Sequence, residues 1–198
     1  MASKPGERKL QILQTVAQML EQPKGEKVTT AALAAKLELS EAALYRHFAS
    51  KAQMFEGLIE FIEQTVFGLI NKITQEEKDG LRQAEAIMAM LLGFAQKNRG
   101  MTRVLTGDAL VNEDERLQQR INQLLDRVEA TLKQSLRMAQ TQGGLAATVE
   151  VGACANVLVC YVMGRWQMFA KSGFSRDPVL HWPAQAAMLL GNNFGRQA

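Results

Sequence analysis

The sequence predicts an all-α fold, and two observations favour it. Apolar side chains recur at spacings of three and four residues along most of the 198-residue chain, as they do on one face of a helix. Only four prolines occur, and β-branched residues do not alternate in the runs typical of strands. A composition of 47% hydrophobic and 22% charged residues is ordinary for a globular protein with enough material for a core.

The first three helices are predicted close together. The first covers residues 7–20, where apolar residues form one stripe. The second follows Thr29 or Thr30, either of which supplies an oxygen to cap the free amides of the helix. Ser40 is the predicted N-cap of a short third helix over residues 41–48. Two short helices joined by a tight turn are typical of a helix-turn-helix, whose second helix enters the major groove of DNA.

A fourth helix is expected to begin after Ser50, which caps it, and to continue to about residue 73.

Small residues at the start of the third helix allow it to lie deep in a major groove about 12 Å wide. A plain helical hairpin in a solvated bundle is the alternative interpretation of this pattern. If the stretch binds DNA, four side chains are placed to reach phosphate oxygens: Ser40, Tyr45, His47 and Lys51.

Five further helices are expected, over residues 83–97, 101–110, 116–138, 148–171 and 180–190. Gly80 is predicted to stop the fourth helix and its charged extension. The helix over 116–138 carries an apolar stripe on a charged surface, as in a short coiled coil. The last two helices have little polar surface, which favours a four-helix dimer interface with their copies. Burial inside the core of one subunit is the alternative.

The positive charge of the chain is concentrated beside the helix-turn-helix. Residues 1–52 hold eight Lys or Arg against five Glu, whereas the remaining 146 residues carry equal numbers of basic and acidic side chains. The whole formal net charge of +3 therefore lies where a phosphate-binding surface requires it. Three of these cations are Lys4, Lys24 and Lys27.

Neither a signal peptide nor a membrane span is expected. The N-terminus leads into an amphipathic helix, and the longest uncharged stretch, residues 151–164, has 14 residues where a bilayer requires about 20. Cys154 and Cys160 are six residues apart, which matches neither a zinc pair nor a redox motif. We expect two buried thiols in a reduced cytoplasm, and no metal or cofactor site.

The exact amino-acid sequence of the helix-turn-helix is more specific evidence than its pattern of apolar residues and caps. TTAALAAKLELSEAALYRHFASK resembles the DNA-binding domain of the TetR family, whose signature is a Thr-capped helix, a turn ending in Ser and then LYxHFxxK. The resemblance implies a TetR-type helix-turn-helix domain over residues 1–52 and a helical partner-binding and dimerisation domain over residues 53–198. It implies DNA contacts at Thr29, Thr30, Ser40, Ala43, Tyr45, His47 and Lys51.

The body carries a second resemblance. GLIEFIEQ, LLGFAQKNRGMTRVLTGDAL and RLQQRINQLLDRVEATLKQSLR resemble the TetR-type nucleoid occlusion factors. This implies a homodimer on palindromic double-stranded DNA that binds the C-terminal tail of the division GTPase FtsZ and blocks division-ring assembly over the nucleoid. The partner site implied for FtsZ falls on Phe61, Met90, Gly93, Lys97 and Asn98.

The chain differs from the residues that are usual in this family at three positions. Met90 stands where Leu is usual, Lys97 where Arg is usual, and Leu69 where the family has another Arg. Physically, the five predicted positions fit a protein-binding groove, because a glycine lets a peptide lie close to the backbone and a cation attracts an acidic tail.

The two alternative function classes are a ligand-responsive repressor and an enzyme. A ligand-responsive repressor would hold its inducer among adaptable Met and aromatic side chains: Met88, Phe94, Tyr161, Trp166, Phe169 and His181. Such a stripe at helical spacing is more often core. The sequence argues against an enzyme, since it lacks a phosphate-binding Gly-rich loop, a nucleophile elbow and metal-ligand spacing. The acidic groups at 76–77 and 113–115 are expected to lie in solvated loops.

Overall fold

The structure is a computed structural model that describes residues 5–22 and 28–191, and within these ranges it contains helices and no strand. The all-α prediction is confirmed. Lys4, Lys24 and Lys27 lie outside the described residues. The helices are α1 (Pro5–Leu20), α2 (Thr30–Lys36), α3 (Glu41–Tyr45), α4 (Lys51–Glu76), α5 (Gly80–Lys97), α6 (Arg99–Leu105), a 3₁₀-helix (Asp108–Leu110), α7 (Glu115–Thr141), α8 (Val151–Lys171) and α9 (Trp182–Leu190).

Two predicted helices differ from the observed ones in more than the position of their end residues. The third helix is shorter than expected, because α3 ends at Tyr45 and the chain turns before α4. The helix expected over residues 101–110 is divided into α6 and the 3₁₀-helix. Gly107 separates them with a φ of +76°, a left-handed conformation that ends an α-helix and that glycine adopts without strain.

The helices form two compact units. The first consists of the residues up to Glu63 together with Asn98–Ile121, and the second consists of Gln64–Lys97 together with the residues from Asn122 onward. The boundaries fall inside α4 and α7, so each of these helices contributes to both units. This division is based on packing between helices. The predicted domain boundary after residue 52 is based on the sequence motif and stays a prediction.

In the first unit, α6 lies directly on α1. A Cβ atom added at Gly100 would be 1.9 Å from the carbonyl oxygen of Ala17, so only glycine allows this backbone approach. The contact places the start of α6 over the apolar stripe of α1. The core of this unit is completed by side chains that are almost fully buried: Ile12, Val16, Leu33, Leu44, Met54, Phe55, Leu58 and Val104.

In the second unit, Gly80 has a role that the sequence did not suggest. The prediction that it stops a helix is wrong, because Gly80 is the first residue of α5 and is buried. A Cβ there would lie 2.3 Å from the carbonyl oxygen of Ser135 and 2.4 Å from the amide nitrogen of Ala139. Glycine therefore allows the start of α5 to rest on the backbone of α7. Beside this contact, the Ser135 hydroxyl donates a buried hydrogen bond of 2.9 Å to Gln83 Oε1.

Helix α8 is fixed at its start and in its middle. The Glu150 carboxylate accepts hydrogen bonds from the amides of Gly152 and Ala153, and these bonds hold the pKa of Glu150 below its ordinary value. Farther along, the buried indole of Trp166 donates a hydrogen bond of 3.1 Å to the Leu91 carbonyl of α5. None of the described helices combines the length and the apolar character that crossing a membrane requires.

The prediction of two buried thiols is half correct. Cys154 is buried, and the burial raises the pKa of its thiol. Cys160 is exposed, so the prediction is wrong for this residue. The sequence of α8 is apolar nearly all round, and its pattern therefore did not reveal which face turns away from the core.

Gly100→Ala should lower the free energy of unfolding by at least about 2 kcal/mol, because the new methyl group collides with the backbone of α1. Gly68→Ala is the matched control, since no atom lies within 4 Å of a Cβ at that position. It should leave stability unchanged or raise it by up to about 1 kcal/mol through helix propensity. Denaturant titrations followed by circular dichroism measure both, and equal midpoints for the two variants would contradict the packing of α6 on α1.

Candidate nucleic-acid interface and partner surface

The start of α2 is capped as the sequence predicts. The Ala32 amide donates a hydrogen bond of 3.1 Å to Thr29 Oγ1, while Leu33 and Ala34 are buried on the inner face of the helix. The neighbouring hydroxyl has a different function, because Thr30 Oγ1 donates a hydrogen bond of 2.7 Å to the carboxylate of Glu41. This bond links the start of α2 to the start of α3.

The turn between α2 and α3 is compact. Glu38 adopts a left-handed φ of +54°, and the following Leu39 amide donates a hydrogen bond of 2.9 Å to the Ala34 carbonyl. Ser40 then caps α3, since its Oγ accepts a hydrogen bond of 3.2 Å from the Ala43 amide. The predicted Ser40 cap is therefore confirmed, and α2 and α3 form a helix-turn-helix.

Helix α3 and the residues after it have one inner and one outer face. Leu44 and Phe48 are buried, as the pattern predicted, and Ala43 is half-buried. Tyr45 is 44% exposed, so its hydroxyl is available at the surface. His47 is half-buried, between the outward-facing and the inward-facing side chains. The outer face thus presents a phenol and an imidazole to solvent.

The start of α4 completes the surface. Ser50 Oγ accepts a hydrogen bond of 3.1 Å from the Gln53 amide, and Gln53 Oε1 accepts one of 2.9 Å from the Ala49 amide. This reciprocal pattern is close to a capping box, and it confirms Ser50 as the N-cap. All seven residues predicted to contact DNA lie in the first unit, on α2, α3 and the start of α4 or the residues that flank these helices.

Lys51 has a partner that sequence analysis missed. Its ammonium nitrogen lies 2.5 Å from Glu113 Oε1, and it is 5.6 Å from the centroid of the Phe55 ring. The prediction that residue 113 lies in a solvated loop is wrong, because only 18% of the Glu113 side chain is exposed. Sixty-two positions separate the two residues, so no local sequence signal connects them.

The predicted partner residues on α5 share one face. Met90, Gly93 and Lys97 are spaced by three and four residues, which places them one above another along the helix. Met90 and Gly93 are half-buried and Lys97 is exposed. No atom lies within 4 Å of a Cβ added at Gly93, so the helix surface is open there.

The other two predicted partner residues belong to the first unit. Phe61 is half-buried on α4, and Asn98 is half-buried immediately before α6, where its carbonyl accepts hydrogen bonds from the amide and hydroxyl of Thr102. Leu69, which replaces the usual Arg, is 41% exposed on α4 in the second unit. The predicted partner residues are therefore divided between the two units.

The side chains considered as an inducer pocket belong mainly to the core. Four of them are at most 6% exposed: Met88, Phe94, Trp166 and Phe169. Tyr161 is half-buried and its hydroxyl is hydrogen-bonded to Gln185 Oε1, while His181 is exposed. Tight packing of the four apolar side chains favours a structural role for this set.

Two family models match the chain. One, described as bacterial regulatory proteins of the tetR family, matches residues 15–58, and the other, described as a SlmA-like, Tetracyclin repressor-like C-terminal domain, matches residues 78–193. Solved structures show the same fold at low sequence identity. The fatty acid degradation regulator FadR from Bacillus halodurans has a TM-score of 0.78 at 15% identity, covering 99% of this chain and 100% of that one. The TetR family regulator PfmR from Thermus thermophilus has a TM-score of 0.75 at 21% identity, covering 94% and 99%.

Curated relatives are similar over nearly the whole length. The nucleoid occlusion factor SlmA of Marinomonas sp. (strain MWYL1) is 49% identical over 192 residues, which are 97% of this chain and 98% of the relative. SlmA of Alteromonas mediterranea is 50% identical over 186 residues, covering 94% and 95%. The chain belongs to the TetR family of bacterial regulatory proteins and, within it, to the nucleoid occlusion factors of the SlmA family.

Proposed function

We propose that this protein is a cytoplasmic, nucleoid-associated division inhibitor that binds palindromic double-stranded DNA as a homodimer and also binds the C-terminal tail of FtsZ. By doing both, it prevents the division ring from assembling over the chromosome. The observation that carries the proposal is the near full-length match to SlmA relatives at 49–50% identity, which includes both the helix-turn-helix and the body.

DNA binding uses the outer face of the helix-turn-helix. The hydroxyls of Thr29 and Ser40, already acceptors for backbone amides, have a hydrogen left to donate to a phosphate oxygen. The exposed Tyr45 hydroxyl and the Lys51 ammonium are further donors. Ala43 carries only a methyl group, which lets α3 lie close to the base edges.

The exposed face of α8 supports a dimer. It forms a continuous stripe without charged side chains: Ala153, Asn156, Val157, Cys160, Met163, Gly164 and Met168. The neighbouring helix α9 exposes Met188 to 66%. An uncharged stripe of this length is costly to leave in water, and a second copy covers it. Two-fold symmetry then supplies two recognition helices for the two half-sites of a palindrome.

Partner binding uses the open surface at Gly93. An acidic peptide can approach the α5 backbone at this point, and the exposed Lys97 ammonium in the last turn supplies an opposite charge. Met90, half-buried on the same helix, offers an apolar contact to the peptide, and the family resemblance adds the half-buried Phe61 of α4 to the proposed binding residues. Leu69 removes one cation that the family commonly provides, which weakens the electrostatic share of the binding.

Tyr45→Phe should weaken binding to palindromic and scrambled duplexes alike, by about three- to tenfold, because it removes one phosphate contact and no base contact. Fluorescence anisotropy with labelled duplexes at a fixed salt concentration measures the change. The phenyl ring remains, so stability should be unchanged. An unaltered dissociation constant for both duplexes would show that the Tyr45 hydroxyl does not face the phosphate backbone.

Met163→Arg should convert the dimer into a monomer, because it places a charge in the uncharged stripe of α8. Val111→Arg is the matched control: Val111 is 67% exposed and belongs to the first unit and not to α8, and its replacement should leave the dimer intact. Sedimentation velocity distinguishes the two states. A dimer that survives Met163→Arg would place the subunit interface elsewhere.

Phe61→Ala should abolish binding of an FtsZ C-terminal tail peptide while leaving duplex binding intact. Phe67→Ala is the matched control, since it makes the same change to a half-buried residue of α4 outside the predicted site. Leu69→Arg should strengthen peptide binding about threefold or more by restoring a cation. Titrations of the labelled peptide measure all three. Equal affinities for wild type and Phe61→Ala would rule out this site.

A further inference from the structure

We propose that the Glu113 carboxylate competes with DNA phosphate for the Lys51 ammonium and thereby limits the affinity of the helix-turn-helix for DNA. This inference rests on the proposed function, in which Lys51 contacts a phosphate. It identifies a residue outside the helix-turn-helix that tunes DNA binding.

The two charges already form a close pair. The Lys51 ammonium donates to Glu113 Oε1 at 2.5 Å, and the two side chains are 31% and 18% exposed. Because the pair is partly buried, salt screens it less than it screens a fully solvent-exposed pair. The cation that should meet a phosphate is therefore held by an acid of the same unit.

The position of Glu113 is fixed by its backbone. The preceding residue, Asn112, has a left-handed φ of +67°, a conformation that asparagine tolerates better than most residues. The Glu113 amide donates a hydrogen bond of 3.0 Å to the Leu110 carbonyl at the end of the 3₁₀-helix. This turn places the Glu113 carboxylate beside the Lys51 ammonium.

A phosphate arriving at Lys51 encounters this carboxylate. If the carboxylate stays, two negative groups share one ammonium and repel each other at short range. If it leaves, an existing ion pair must be broken before the new one forms. Both courses reduce the net gain from the phosphate contact, and removal of the Glu113 charge eliminates both costs.

The structure offers space for the carboxylate to move. Lys51 and Glu113 line a cavity of about 440 Å³, together with Phe55 and Arg103. Arg103 carries a second positive charge, and its guanidinium lies 3.4 Å from Asp108. When DNA takes Lys51, this cavity gives the half-buried Glu113 carboxylate room to move, and Arg103 in the same lining keeps a positive charge in the cavity.

Glu113→Gln should tighten duplex binding about three- to tenfold at fixed salt, equally for palindromic and scrambled duplexes, because phosphate contacts carry no sequence information. The matched control is Glu115→Gln. It removes the same charge two residues away, from an exposed position at the start of α7, and should change affinity less than about twofold through the general field alone.

The double variant separates competition from other effects. Lys51→Met alone should weaken binding to every duplex, and in the Lys51→Met background Glu113→Gln should gain no more than the general-field effect of less than about twofold expected for Glu115→Gln. Anisotropy titrations of wild type, the three single variants and this double variant test these relations. Equal gains for Glu113→Gln and Glu115→Gln, or a Glu113→Gln gain that persists at its full size without Lys51, would overturn the competition.

Failure of the inference can be distinguished from failure of the proposed function. If Lys51→Met weakens duplex binding and Glu113→Gln leaves it unchanged, the phosphate contact stands and the competition is wrong. If Lys51→Met binds duplexes as wild type does, the phosphate contact is itself wrong, and the competition falls with it. If wild type binds no duplex, the proposed function fails as a whole.

Discussion

Helices of five and seven residues are not stable in water by themselves, so the DNA-facing surface depends on their caps and a few buried side chains. Thr29, Ser40 and Ser50 each accept a backbone amide at the start of a helix. Leu33 and Leu44, both fully buried, hold α2 and α3 together from the inner side. The hydroxyls that stabilise the helices lie at the surface proposed to meet phosphate, and stability and recognition therefore depend on the same positions.

Close backbone approach is the second constraint on the fold. At Gly100 in the first unit and Gly80 in the second, a helix begins against the backbone of another helix at a distance that excludes any Cβ. The Gly100 contact positions α6, which begins directly after the candidate partner residue Asn98. The Gly80 contact positions α5, which carries the candidate partner residue Gly93. The candidate partner residues of each unit therefore depend on glycine packing within that unit.

Local features could be predicted from the sequence, and long-range ones could not. The caps at Thr29, Ser40 and Ser50 depend on residues three positions away. The sequence predicts Ser40 and Ser50 correctly, and for α2 it leaves the choice between Thr29 and Thr30 to the structure. Gly80 was interpreted as a helix stop, because its contact with Ser135 and Ala139 lies more than fifty residues farther along the chain. The Lys51–Glu113 pair was missed for the same reason. The prediction that Cys160 is buried is wrong because α8 is apolar nearly all round, so contacts with neighbouring helices decide which of its faces is buried.

We propose that this protein antagonises FtsZ while it is bound to DNA. The most direct measurement is sedimentation of FtsZ polymers in the presence of GTP, with the protein and a palindromic duplex added. Wild type should lower the amount of pelleted FtsZ and Phe61→Ala should not, although both bind the duplex. Unchanged pelleting with wild type, despite full duplex binding, would contradict the claim and leave a DNA-binding regulator without an effect on FtsZ.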